Sequence, residues 1–321
     1  QHRMCCLPAP WADRMRGHPA GALSRESKRV DGAGGGATYE EPSRASPLLH
    51  ENRSPLTRLL HLQAGQDVEV GVLEVVEVFH GGAFIAGSPH SHRTITSRWS
   101  EVAGAAVLAI DYRLMPENRR TDGIEDCRTA YRWILENGPD AAAPPRWLYV
   151  SGDSAGGNLS LSLAAWVRDA GLRSPDGVIG LSPLTDSTYS GSSIRHNLKT
   201  DIMLGPLFGA LIKIPRPILM WLFVLENRVR PVNPIVSPIF GDLSGLPPTL
   251  IQVSESEMLL DDARRYVNKA RAAGSPVRLQ SWAGLLHVWH IMNPEVPEAL
   301  EAFEQIAVFV RSVEASGAAP S

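Results

Sequence analysis

Ser154 sits in Gly152-Asp153-Ser154-Ala155-Gly156, where an apolar run, Trp147 to Val150, gives way to a helical pattern. Gly-x-Ser-x-Gly between a strand and a helix is the spacing of a tight, strained turn that lifts one hydroxyl above the end of a sheet. Small neighbours let the backbone close up, and the serine stands at the start of a helix whose dipole favours negative charge. The plain alternative is a glycine-rich turn with Ser154 as a cap. The flanking strand and helix favour the nucleophile. A serine hydroxyl attacks only when a base takes its proton, and the base must be held by an acid.

His287, in "SWAGLLHVWH" just after a strand-like run at 277–282, is the candidate base. His290 falls inside the element that follows and reads as a packing residue. The acid stays open from the residues alone. The loop "SESEMLLDDA" offers Glu255, Glu257, Asp261 and Asp262. The two aspartates begin the next helix, where first-turn carboxylates are favoured by the dipole. Glu257 sits on the loop itself, where an orienter is needed. Asp186, in "LSPLTDST", is the outside candidate.

A second loop, "FHGGAF" at 79–84, could hold the charge that develops on a carbonyl oxygen under attack. Backbone N–H groups aimed at that oxygen are worth about 2.7–4 kcal/mol each. Gly81 and Gly82 permit close approach, Ala83 donates if its φ stays negative, and Ala155 supplies a further N–H. His80 reads as a structural histidine fixing the loop. His90 and His92 lack a carboxylate or cysteine partner at ligand spacing, so no metal is expected there.

These loops need strands and helices to position them. Strand-like runs occur at 72–79, 105–110, 147–151, 177–182, 249–253 and 277–282. Helical spacing occupies 90–103, Ile124 to Leu135, 155–170, Leu260 to Ala270 and 297–313. The alternation predicts an α/β fold with a mostly parallel sheet covered on both faces. Ligands on such sheets bind beyond the carboxyl ends of the strands, and the notable loops all follow strands.

Residues 1–70 read as an irregular N-terminal segment, a partial cap at most. Residues 71–186 and 237–315 form the main domain, and 187–236 an insertion. Within it, "IMLGPLFGALIKIPRPILMWLFVL" (202–225) is long enough to span a bilayer. Lys213, Arg216 and three prolines make it two short helices with a break instead. Met203, Leu204, Leu207, Phe208, Trp221 and Phe223 are its apolar pocket candidates, Met203, Leu207 and Phe208 foremost.

The 321 residues are 44% hydrophobic and 20% charged, which suits a globular protein, and the net charge of −3 argues against nucleic-acid binding. Cys5, Cys6 and Cys127 make no disulfide framework, so a reducing, cytoplasmic setting fits best.

Taken in order, "HGGAFIAGSPHSH" (80–92), "DYRLMPE" (111–117), "GDSAGGNL" (152–159), "LSPLTD" (181–186), the run from 237 to 266 and "GLLHVWH" (284–290) resemble the hormone-sensitive-lipase-like family of α/β-hydrolase esterases. The resemblance runs from about Val75 onward and implies an α/β-hydrolase fold with a small helical cap. It implies a serine carboxylesterase for short- to medium-chain acyl esters, with catalytic Ser154, Glu257 and His287. The oxyanion hole would comprise Gly81, Gly82, Ala83 and Ala155. The family's acid, laid on "EMLLDD", falls on Glu257, where aspartate is commoner. Residues 1–70 match the family poorly. The resemblance implies no cofactor, a small ester as substrate, no stable membrane insertion, and a homodimer in some relatives. A lactonase or amidase would use the same residues. A non-catalytic receptor on this scaffold, like the plant gibberellin receptors, would lack the histidine that His287 supplies here.

Overall fold

The computed structural model describes residues 4–7, 74–138 and 144–317. Among these residues, seven strands form one parallel sheet: β1 (Met4–Leu7), β2 (Glu74–Phe79), β3 (Ala106–Ile110), β4 (Trp147–Asp153), β5 (Gly177–Leu181), β6 (Thr249–Ser254) and β7 (Val277–Trp282), in the order 1-3-2-4-5-6-7. The helices are α1 (Arg93–Ala103), α2 (Arg120–Ile134), α3 (Ala155–Asp169), α4 (Ser193–His196), α5 (Leu204–Phe208), α6 (Arg216–Asn227), α7 (Leu260–Ala272) and α8 (Pro297–Gly317).

The strands are short and β-branched because both faces are buried. On β2, Val75 and Phe79 pack against a core that includes Ile124, Tyr131 and Val167 of α2 and α3. Val76 and Val78 join Trp99 of α1 and Phe303 and Ile306 of α8 on the opposite face. The expected pattern therefore holds from β2 to α8. Helix α1 stops at Gly104, with φ 63°, and α2 opens with Asp122 Oδ2 accepting the Arg119 N–H at 2.8 Å.

The chain differs from expectation at its start. Met4–Leu7, placed within an irregular segment, pairs in parallel with β3. Four residues carry no readable period, and this strand is defined by the edge that receives it. The remaining positions of the expected N-terminal segment, and 72–73 of the expected first main strand, lie outside the described residues.

The run at 202–225 divides as expected into α5, a 3₁₀ turn at Leu211–Lys213 and α6, with Pro215 at the break. Among the described residues no helix is long and apolar enough to cross a membrane.

Strand order sets the position of the site. From β2 the chain moves to β3 on one side, then returns past β2 to β4 on the other. The loops leaving β2 and β4 thus lie side by side at the carboxyl edge, where such a reversal opens a crevice.

Candidate active site

The turn from β4 to α3 holds Ser154 at φ 52°, ψ −111°, a left-handed value costly for a residue with a Cβ. The turn packs so closely that a Cβ on Gly156 would lie 1.9 Å from the Phe79 carbonyl oxygen. Of residues 151–164, only Ser154 is not fully buried.

Ser154 Oγ lies 2.9 Å from His287 Nε2. On the far side of that ring, Nδ1 is 3.6 Å from Glu257 Oε2. That distance is within ion-pair reach and longer than a hydrogen bond. His287 Nδ1 and Glu257 Oε1 have no hydrogen-bond partner among the described residues, while Glu257 Oε2 is held by Ser182 Oγ and Ser254 N. Free active sites often show such loose contacts. Burial pushes the His287 pKa down, but the Glu257 carboxylate, helped by Asp201 and Asp153, outweighs it and raises the pKa above the ordinary value.

Asp186 is engaged elsewhere. Its Oδ1 accepts from Thr188 N and Oγ1, and its Oδ2 from Ser190 Oγ and Arg265 Nη1. Asp262 accepts from the Thr185 and Asp186 N–H groups. Asp261 accepts from Ser192 and Ser193, and Glu255 from Ser281. Of the five acids considered, only Glu257 is paired with His287.

The loop after β2 corrects two expectations. Gly81 is no oxyanion donor, because its N–H already donates to Asp153 Oδ1 at 3.0 Å. Ala83 has φ 56°, so the negative φ on which its donation was made conditional is not met; its N–H nonetheless stays unengaged on the cavity wall, which keeps it a candidate donor. A tight turn, closed by the Ile85 and Ala86 N–H groups donating to Gly82 O, imposes that conformation. The Gly82 and Ala83 N–H groups find no acceptor among the described residues. Ala155 opens α3, in the first turn where N–H groups lack intrahelical partners. Gly82, Ala83, Ala155, Ser154 and His287 all line one cavity of 440 Å³.

Several contributors had escaped the sequence reading. Ser182, at φ 49° just past β5, donates to Glu257 Oε2 at 2.7 Å and accepts from Val288 N at 3.2 Å. It ties the acid to the histidine loop. Asp153, buried beside the serine, anchors Gly81, and its other oxygen lies 3.3 Å from His92 Nε2. The buried Arg120 donates to Ser187, Asn158 and the Val236 carbonyl and lies over the Phe84 ring at 3.8 Å. The available signal was position: Ser182 and Asp153 both stand at the carboxyl ends of strands.

His80 and His290 behave as structural groups. His80 stacks on Tyr112 at 4.3 Å and lies 2.8 Å from the Gly81 carbonyl oxygen. Burial lowers its pKa to about 4. His290 is buried on Gln252 and Trp289, and burial lowers its pKa to about 3.

Met203, Leu204, Leu207 and Phe208 line the cavity, whereas Trp221 and Phe223 do not. Trp221 instead faces solvent on α6, 62% exposed.

Residues 76–291 match the model of a family described by its alpha/beta hydrolase fold. An acetyl-hydrolase of Streptomyces hygroscopicus is 38% identical over 238 residues, 74% of this chain and 75% of that protein. An esterase of Acinetobacter venetianus is 33% identical over 77% of both chains. The crystal structure of an esterase from the bacterial hormone-sensitive lipase family superposes with a TM-score of 0.64 at 33% identity, over 79% of each chain.

Proposed function

The chain belongs to the alpha/beta hydrolase fold family and is a carboxylic ester hydrolase, and from that premise we propose that it cleaves short- to medium-chain acyl esters through an acyl-enzyme on Ser154. His287 is the base and Glu257 the acid that orients it. The carrying observation is the 2.9 Å contact between Ser154 Oγ and His287 Nε2 in the lining of the cavity.

In this reading His287 Nε2 takes the Ser154 proton as Oγ attacks the ester carbonyl. The Gly82, Ala83 and Ala155 N–H groups stabilise the oxyanion. His287 then protonates the departing alcohol. In the second half it activates water, which releases the acid and returns the proton to Ser154. Glu257 keeps the imidazole oriented and balances its charge. Residues 187–236 act as the cap, and Met203, Leu207 and Phe208 receive the acyl chain. A lactone or activated amide would meet the same groups.

The test is hydrolysis of p-nitrophenyl esters from acetate to dodecanoate. Ser154→Ala and His287→Ala should each cost at least about 10³-fold in kcat. Glu257→Ala should cost far more activity than Asp186→Ala. The reverse order would overturn the choice of acid, and undiminished turnover in Ser154→Ala would overturn the mechanism.

A further inference from the structure

The cavity that contains Ser154 is apolar for most of its wall, yet two arginines line it. Arg195 comes from α4 and Arg216 from the first residue of α6, both exposed at the rim. Neither has a carboxylate partner among the described residues. Arg216 is steadied by a neutral group: its Nη2 donates to Thr188 Oγ1 at 3.0 Å. Thr188 Oγ1 in turn donates to Asp186 Oδ1 at 2.6 Å. The one carboxylate in the lining, Asp153, is buried and already committed to Gly81 and His92. The rim therefore carries two positive charges that no carboxylate contacts directly among the described residues.

An unpaired guanidinium beside an apolar wall attracts an anion more strongly than one in open water, and it binds planar oxyanions through two N–H groups. Met203, Leu207 and Phe208 share the wall with the arginines. We propose that the preferred substrates are amphiphilic: esters whose acyl chain runs along that wall and ends in an anionic group, a carboxylate or phosphate, held by Arg195 and Arg216. This deepens the esterase reading and rests on it.

The experiment uses p-nitrophenyl octanoates whose chain tip is methyl, carboxylate, phosphonate or trimethylammonium. The enzymes are wild type, Arg195→Gln, Arg216→Gln, the double variant and Ser154→Ala. In wild type, kcat/KM should favour an anionic tip over methyl and disfavour the cationic tip. The anion-to-methyl ratio should fall about tenfold for each arginine removed, as for loss of one charge-assisted contact. The carboxylate and phosphonate arms identify which anion is read. Arg216→Glu should shift preference toward the trimethylammonium tip. A ratio unchanged in the double variant, with turnover still dependent on Ser154, overturns the anion site and leaves the esterase reading standing. Wild type that cleaves none of the four esters overturns both.

Discussion

At the scale of single residues, the proposed site is a row of contacts, Ser154 to His287 to Glu257, whose strongest electrostatic influence is one carboxylate. The Glu257 carboxylate raises the His287 pKa against its burial, so the base form, which the proposed mechanism needs for attack, is lost at a higher pH than for a free histidine. The acidic limb of kcat/KM should therefore lie above the ordinary histidine value. Glu257→Gln removes the main raising influence, so this limb should move to lower pH while kcat falls. A pH–rate profile with activated esters measures both, and a limb that stays in place would assign the shift to Asp201 and Asp153. The pairing of Ser154 with His287 was legible because both follow strands in a local pattern and in chain order. The acid was not. Glu257 and Asp186 both follow strands, and only the folded chain shows that Asp186 is bound to Thr188, Ser190 and Arg265. Gly81 misled for a similar reason: a sequence shows which N–H groups exist, not which are already taken.

Among the elements, the loop after β2 depends on the strand beside it. Asp153 ends β4 and holds Gly81, while His92, from the residue before α1, braces its other oxygen. Asp153→Ala should loosen the placement of Gly82 and Ala83 and lower kcat by about 10²-fold, the smaller cost seen when an oxyanion donor is lost. KM should change little, and near-UV circular dichroism should show whether the fold persists. Unchanged kcat would mean the loop holds itself. Most elements were readable, because apolar strands and 3.6-residue spacing survive in a single sequence. The strand at Met4–Leu7 was not, since its structure comes from the neighbour it pairs with. The anchor role of Asp153 was hidden too, because β2 and β4 become neighbours only in the folded sheet.

For the molecule as a whole, the least expected group is Glu77. It stands midway along β2 between Val75 and Phe79, wholly buried, and neither carboxylate oxygen has a hydrogen-bond partner among the described residues. Burial pushes its pKa well above the ordinary carboxyl value, so the folded protein keeps a proton that the unfolded chain gives up. The stability this contributes is fully present below the unfolded carboxyl pKa. It drains as pH rises from there toward the raised folded value, at up to about 1.4 kcal/mol per pH unit. Glu77→Gln removes the titration, so the stability of variant minus wild type, from urea unfolding at pH 5 to 8, should grow with pH. Parallel curves would mean that the carboxylate is ionised and compensated. Nothing in "VLEVVEV" announces this, because a strand buried on both faces has no solvent side to reveal a misplaced charge.

The bond between Ser154 and His287 joins positions 133 apart in the chain, Gly81 meets Asp153 across 72, and Ser182 meets Glu257 across 75. Each loop is pinned by a different strand, and the histidine is pinned by β7, at the margin of the sheet. Closing such wide loops is slow compared with winding a helix. During refolding, helical signal should thus return well before catalysis does. Enzymatic turnover is then a clock for the assembly of these loops, and a sheet that has not yet joined them is chemically silent.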